Sequence, residues 1–112
     1  MWRGEVWWAD LPSPTASEPG HRRPLLIVQS DAFNASGIRT VVGVVLTTNL
    51  RLAAAPGNLK VTAAETGLPQ DSVINVSQLV TADRAFLAER VGQVSGRVMS
   101  EVDDGLRTVL AL

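Results

Sequence analysis

Apolar residues recur along this chain in short blocks, and their period changes once, near the end. Trp2 to Leu11 holds the strand formers Val6, Trp7, Trp8 and Ala9 and is stopped by Pro12. Leu25 to Ser30 begins with an unbroken apolar run and predicts a buried strand. Arg39 to Asn49 contains Thr40-Val41-Val42-Gly43-Val44-Val45-Leu46-Thr47-Thr48, the longest strand candidate. It is apolar on both faces and is therefore expected at the centre of a sheet. Leu59 to Ala63 predicts a short strand. Ser72 to Thr81 predicts another, with its alternation broken by Asn75, Ser77 and Gln78, as a bulge or bend would break it. A last strand is expected around Arg90 to Val94.

The period then lengthens. Val98, Val102, Leu106, Val109 and Leu110 fall on one face of a helix. Ser95 is placed to cap it, and Asp103 and Arg107 stand four apart on its polar side. Gly105 inside this segment weakens a helix by roughly 1 kcal/mol relative to alanine. Between the blocks, residues 12–22 read as a long loop holding Pro12, Pro14, Pro19 and Gly20. A connection of that length in a small domain is usually functional. Asp31 to Gly37 and Leu50 to Ala55 read as loops with room for a helical turn, Pro56-Gly57-Asn58 as a turn, and Glu65 to Asp71 as a loop. Strands do not alternate with helices. The pattern predicts one domain over residues 1–112, mainly β: a small twisted barrel of five to seven strands with a C-terminal helix.

Composition narrows the chemistry. With no cysteine and one histidine, disulfides, a thiolate zinc site and a cysteine nucleophile are excluded. No metal or cofactor is expected. No apolar targeting or membrane-spanning run is present, which points to the cytoplasm. The net charge of −1 hides an uneven split. Residues 1–60 carry six bases against four acids, and residues 61–112 four bases against seven acids. Nine of the ten bases are arginine, the side chain suited to planar contacts with phosphate.

The candidate site is His21-Arg22-Arg23-Pro24, ahead of the Leu25 strand, with Glu18 upstream and Thr47 and Thr48 ending the central strand. No paired carboxylates and no glycine-rich phosphate loop accompany it. In Gly92-Gln93-Val94-Ser95-Gly96 the serine is misplaced for a nucleophile elbow. Arginine with hydroxyl, lacking metal and thiol, suggests the handling of phosphate. Trp7 and Trp8 point to opposite faces of an extended chain, so one at most is wholly in the core. The other suits an interface or a platform for a base.

These segments together resemble the MazF/PemK family of toxin–antitoxin ribonucleases. The resemblance runs through Arg3 to Leu11, Ser17-Glu18-Pro19-Gly20, Arg22-Arg23-Pro24 with Leu25 to Gln29, Val45 to Asn49, and Leu68 to Val73. It implies an SH3-like barrel of the CcdB/PemK type and a homodimer. It implies metal-independent cleavage of single-stranded RNA, and an antitoxin that covers the RNA groove. Carried over by position, Arg23 and Thr47 are the catalytic pair. Glu18 and His21 are candidates for orienting Arg23 or moving a proton; the family often has a small residue where His21 stands. Arg22, Gln29, Ser30 and Asn49 are candidates for RNA contact. The competing reading is a CcdB-like toxin that binds and poisons DNA gyrase without chemistry.

Overall fold

The computed structural model describes residues 1–12 and 21–112. Strands β1 (Glu5–Leu11), β2 (His21–Ile27), β3 (Thr40–Thr47), β4 (Leu59–Val61), β5 (Ser72–Asp83) and β6 (Leu87–Gln93) form one antiparallel sheet. Its order is β4-β5-β3-β2-β1-β6. The helices are α1 (Asp31–Asn34), α2 (Ala63–Thr66) and α3 (Gly96–Leu110), with 3-10 turns at Leu50–Ala54 and Arg84–Phe86. The apolar-both-sides strand β3 is central, as its composition predicts, because each face meets a separate core. One face places Leu26, Val44, Leu46 and Ile74 against Val98, Met99 and Val102 of α3. The other gathers Ala9, Leu25 and Val45 with Leu11, Val80 and Leu87.

The sheet curls because β5 carries extra residues. Val44 pairs with Leu79 but Val45 pairs with Asn75, so Val76 to Gln78 have no counterparts on β3. This is the stretch where the alternation fails in the sequence. Its polar atoms are satisfied locally. Asn58 Oδ1 accepts from the Val76 N–H at 3.0 Å, Asn58 Nδ2 reaches Asn75 Oδ1 at 3.3 Å, and Ser77 Oγ donates to Asn75 Oδ1 at 2.7 Å. Close backbone contacts that only glycine permits pack α3 on the turn before β4 and β6 on α2. A Cβ on Gly105 would lie 2.3 Å from the Gly57 carbonyl oxygen, and one on Gly92 would lie 2.4 Å from that of Thr66.

Several expectations are corrected. β2 starts at His21, so the histidine and both arginines lie on a strand rather than on the loop; it ends at Ile27, short of Ser30. β5, not β3, is the longest strand. The expected strand to Ala63 stops at Val61 because Thr62 caps a helix: its hydroxyl accepts from the Glu65 N–H while the Glu65 carboxylate accepts from the Thr62 N–H. Neither Trp7 nor Trp8 is fully buried. Ser95 caps α3 as expected, but Val109 and Leu110 at its end are exposed. Asp103 and Arg107 do not pair. Asp103 binds Arg3, which ties the N-terminus to α3, and Arg107 binds Asp104 at 2.8 Å.

Glu5 locks the start of β1. Its side chain is buried, and it accepts from the Trp2 N–H at 2.7 Å, the Trp7 indole at 3.2 Å and Arg90 Nε at 2.6 Å. Burial pushes this carboxyl up, but the hydrogen bonds from Arg90, Trp2 and Trp7 outweigh it, and the net displacement is downward from the ordinary 4.5. A carboxylate with a depressed folded pKa adds stability that is present above its unfolded value and is lost as pH falls through the folded one. The exposed Asp31 and Glu65 are lowered too, chiefly by the N–H groups of Arg3 and Thr62.

Two outcomes follow for stability. Glu5→Gln should lower the unfolding free energy at neutral pH by about 1–3 kcal/mol and flatten part of the decline that the native protein shows below about pH 4.5. Denaturant titrations from pH 3 to 7 measure both; an unchanged acid limb would show that Glu5 is not its source. Gly105→Ala would stabilise an ordinary helix by about 1 kcal/mol. Here it should destabilise by about 1–3 kcal/mol, because the methyl group meets the Gly57 carbonyl.

Candidate active site

The site lies where the β2–β3 ladder ends. That ladder runs from Ile27↔Gly43 to Leu25↔Val45 and then stops, although β1 continues to pair with β2 as far as His21. Parity explains the stop. The Val28 N–H donates to the Val42 carbonyl at 3.1 Å, so even-numbered residues along β2 direct their backbone groups toward β3. The next such residue at the parting end is Pro24, whose partner would be the Leu46 carbonyl. Proline has no N–H to give. The ladder ends at Pro24, and a cavity of about 250 Å³ lies beside this end of the two strands.

Residues from both strands face that cavity: Arg22, Arg23 and Pro24 from β2, with Leu46, Thr47 and Thr48 from the end of β3. Trp8 on β1 supplies one wall; Leu68, Gln70 and Ser72, on and beside the loop that follows α2, supply the other. Among the described residues the lining holds two guanidinium groups and no carboxylate. Arg23 is exposed, and among the described residues its side chain has no hydrogen-bond or ion-pair partner. Thr47 is held in place. Its Oγ1 accepts from the Asn49 N–H at 3.2 Å, which leaves its own O–H to donate into the cavity. Arg22 lies over the Trp8 ring, 5.0 Å from the centroid. It also touches Asp10 at 3.5 Å and Glu89 at 3.4 Å. Contacts of that length between exposed side chains contribute little, so Arg22 can be drawn away.

The structure thus brings Arg22, Arg23 and Thr47 together. His21 precedes them on β2 with a left-handed φ of 59° and does not line the cavity. Glu18 lies outside the described residues. Asn49 flanks the site, and its Oδ1 accepts from the Arg51 N–H at 3.3 Å to cap the 3-10 turn. Gln29 and Ser30 are not brought to it. They lie at the other end of β2, about 20 Å along the chain from Arg23 at ordinary strand rise. The Gln29 amide is occupied there: Nε2 donates to Asn34 Oδ1 and the Thr40 carbonyl, and Oε1 accepts from the Val42 N–H. Sequence reasoning left open which of Trp7 and Trp8 would serve as a platform, and the cavity lining selects Trp8; it missed Gln70. The Thr62-x-x-Glu65 capping signature could have located α2 and the loop that carries Gln70.

The family of PemK-like, MazF-like toxins of type II toxin–antitoxin systems matches residues 2–110. Endoribonuclease MazF6 of Mycobacterium tuberculosis is 51% identical over 110 residues, covering 98% of this chain and 96% of the relative. Endoribonuclease EndoA of Bacillus subtilis is 33% identical over 110 residues, covering 98% and 94%. Among solved structures, an endoribonuclease in complex with its cognate antitoxin from Mycobacterial species superposes with a TM-score of 0.80 at 27% identity, covering 100% of this chain and 96% of that one. No helix among the described residues is long and apolar enough to cross a membrane.

Restoring a donor at the parting point should rezip the strands. In Pro24→Ala the new N–H at position 24 should bond the Leu46 carbonyl, exchange slowly as ladder amides do, and narrow the cavity. Amide hydrogen exchange reads this directly; rapid exchange at position 24 would mean that something other than the missing donor holds the gap open.

Proposed function

The chain belongs to the PemK-like, MazF-like toxins of type II toxin–antitoxin systems, and from that premise we propose that the β2–β3 gap is where it cleaves RNA. It is an endoribonuclease toxin, like the relatives it matches over nearly its whole length. The gyrase-poisoning alternative is not favoured. The observation that carries the assignment of the site is that Arg23 and Thr47 line one cavity beyond the end of the β2–β3 ladder.

The proposed reaction needs no metal. The 2′-oxygen of one nucleotide attacks the adjacent phosphorus, and the bond to the 5′-oxygen breaks. The 2′-hydroxyl gives up its proton and the departing 5′-oxygen gains one. The products carry a 2′,3′-cyclic phosphate and a 5′-hydroxyl. Negative charge grows on the phosphoryl oxygens, and a fixed guanidinium aimed at them stabilises the transition state more than the ground state. We assign that role to Arg23. Guanidinium stays protonated at any working pH, so Arg23 acts by charge and not as a base. Thr47 donates from Oγ1 to a phosphoryl oxygen, oriented by the Asn49 N–H. Arg22 gathers flanking phosphate. The proton carriers are drawn from His21 and Glu18. The substrate is single-stranded, since a base must leave its stack to enter the gap.

The proposal extends to the surroundings of the reaction. The active form is a homodimer in the cytoplasm, and its inhibitor is a separately encoded antitoxin segment, acidic enough to compete for Arg22 and Arg23. The solved complex of a Mycobacterial endoribonuclease with its cognate antitoxin supports this.

Purified protein should cut single-stranded RNA in the presence of EDTA. Arg23→Ala should lower the cleavage rate by about 10²–10³-fold and shift the melting temperature little, because the side chain is exposed. Full activity in that variant would remove Arg23 from the mechanism.

A further inference from the structure

The cavity has a wall that the phosphate chemistry does not use. Trp8 packs its inner edge on the main core and presents the rest to the gap. Pro24, Leu46 and Leu68 continue the same apolar surface. A phosphate or a ribose has no use for such a slot; a flat heteroaromatic ring does.

Gln70 stands at the rim of this slot. Its flanks are fixed. The Asp71 carboxylate accepts from the Ala63 N–H at 2.9 Å, and the Ser72 hydroxyl donates to the Gln70 carbonyl at 3.2 Å. The Gln70 side chain, by contrast, is exposed and makes no hydrogen bond among the described residues. A pinned backbone with an uncommitted amide is suited to reading, since the amide offers one acceptor and two donors from a defined place. Gln29 makes the contrast plain: it is the same residue type, but its amide is consumed by the fold.

We propose that Trp8, Leu68 and Gln70 form a nucleobase subsite, which takes one unstacked base next to the scissile phosphate and sets part of the sequence preference. The inference rests on the RNA-cleavage reading of the same cavity. The base slides against the Trp8 ring, and the Gln70 amide pairs with its polar edge. Arg22 covers that ring in the free protein at 5.0 Å and is held there only by contacts of 3.4 and 3.5 Å. An incoming base displaces it toward the flanking phosphate, so binding of base and of backbone are linked.

The test is to sequence the cleavage ends of a long single-stranded RNA treated with the native protein, Gln70→Ala and Gln70→Glu. The native protein should show a preferred base at each position of its motif. In Gln70→Ala the preference at one position should fall about tenfold, the worth of one hydrogen-bonded contact, while the other positions keep theirs. Gln70→Glu, which accepts but cannot donate, should shift that same position toward bases with a donor edge. Identical motifs in all three proteins, or an equal loss at every site in a folded Gln70→Ala, would overturn the subsite. Failure of the native protein to cut any RNA would instead overturn the nuclease reading beneath it.

Discussion

The missing N–H of Pro24 is the constraint on which the site depends. A β-sheet tends to zip to the ends of its strands, because every unpaired backbone group inside it costs free energy. Here β1 and β2 stay paired to His21, and β3 and β5 stay paired to Thr47. Only the ladder between them ends early. Beyond its end the two strands line one cavity, one with arginine and one with hydroxyl. Both are braced by rigid neighbours, which gives polar side chains the fixed positions that charge stabilisation requires.

The rest of the fold keeps that cavity from collapsing. The bulge at Val76 to Gln78 bends β5, and the glycine contacts at Gly105 and Gly92 seat α3 and α2 closely against the curled sheet and its turns. Glu5 secures β1, the strand that carries Trp8, by accepting from Trp2, Trp7 and Arg90. These supports lie away from the cavity. Among the described residues the cavity lining holds two cations and no carboxylate, and Arg22 alone touches carboxylates outside it, an arrangement that favours an anionic guest.

Much of this was legible in the sequence. The strand blocks, the α3 face with its Ser95 cap, and the interruption at Asn75, Ser77 and Gln78 all follow from side-chain periodicity. Arg23 and Thr47 were legible as a pair through the resemblance to the family. What escaped depends on which strands become neighbours. Parity along β2 cannot be read before β3 is known to lie beside it, so the role of Pro24 was hidden. Gln29 looked free because its partners Asn34, Thr40 and Val42 are assembled only by folding. The cationic residues looked like loop because proline and glycine crowd the chain before them. His21 nonetheless begins the strand, in a left-handed conformation.

A site built in this way places the scissile phosphate between Arg23 and Thr47. The most direct measurement is a crystal structure with a short RNA whose reacting 2′-hydroxyl is replaced by hydrogen, so that it binds without being cut. The scissile phosphate should lie within hydrogen-bond distance of the Arg23 guanidinium and of Thr47 Oγ1, with the β2–β3 ladder still ending at Pro24. An RNA backbone that crosses the far end of β2 near Gln29 and Ser30, leaving the gap unoccupied, would contradict it.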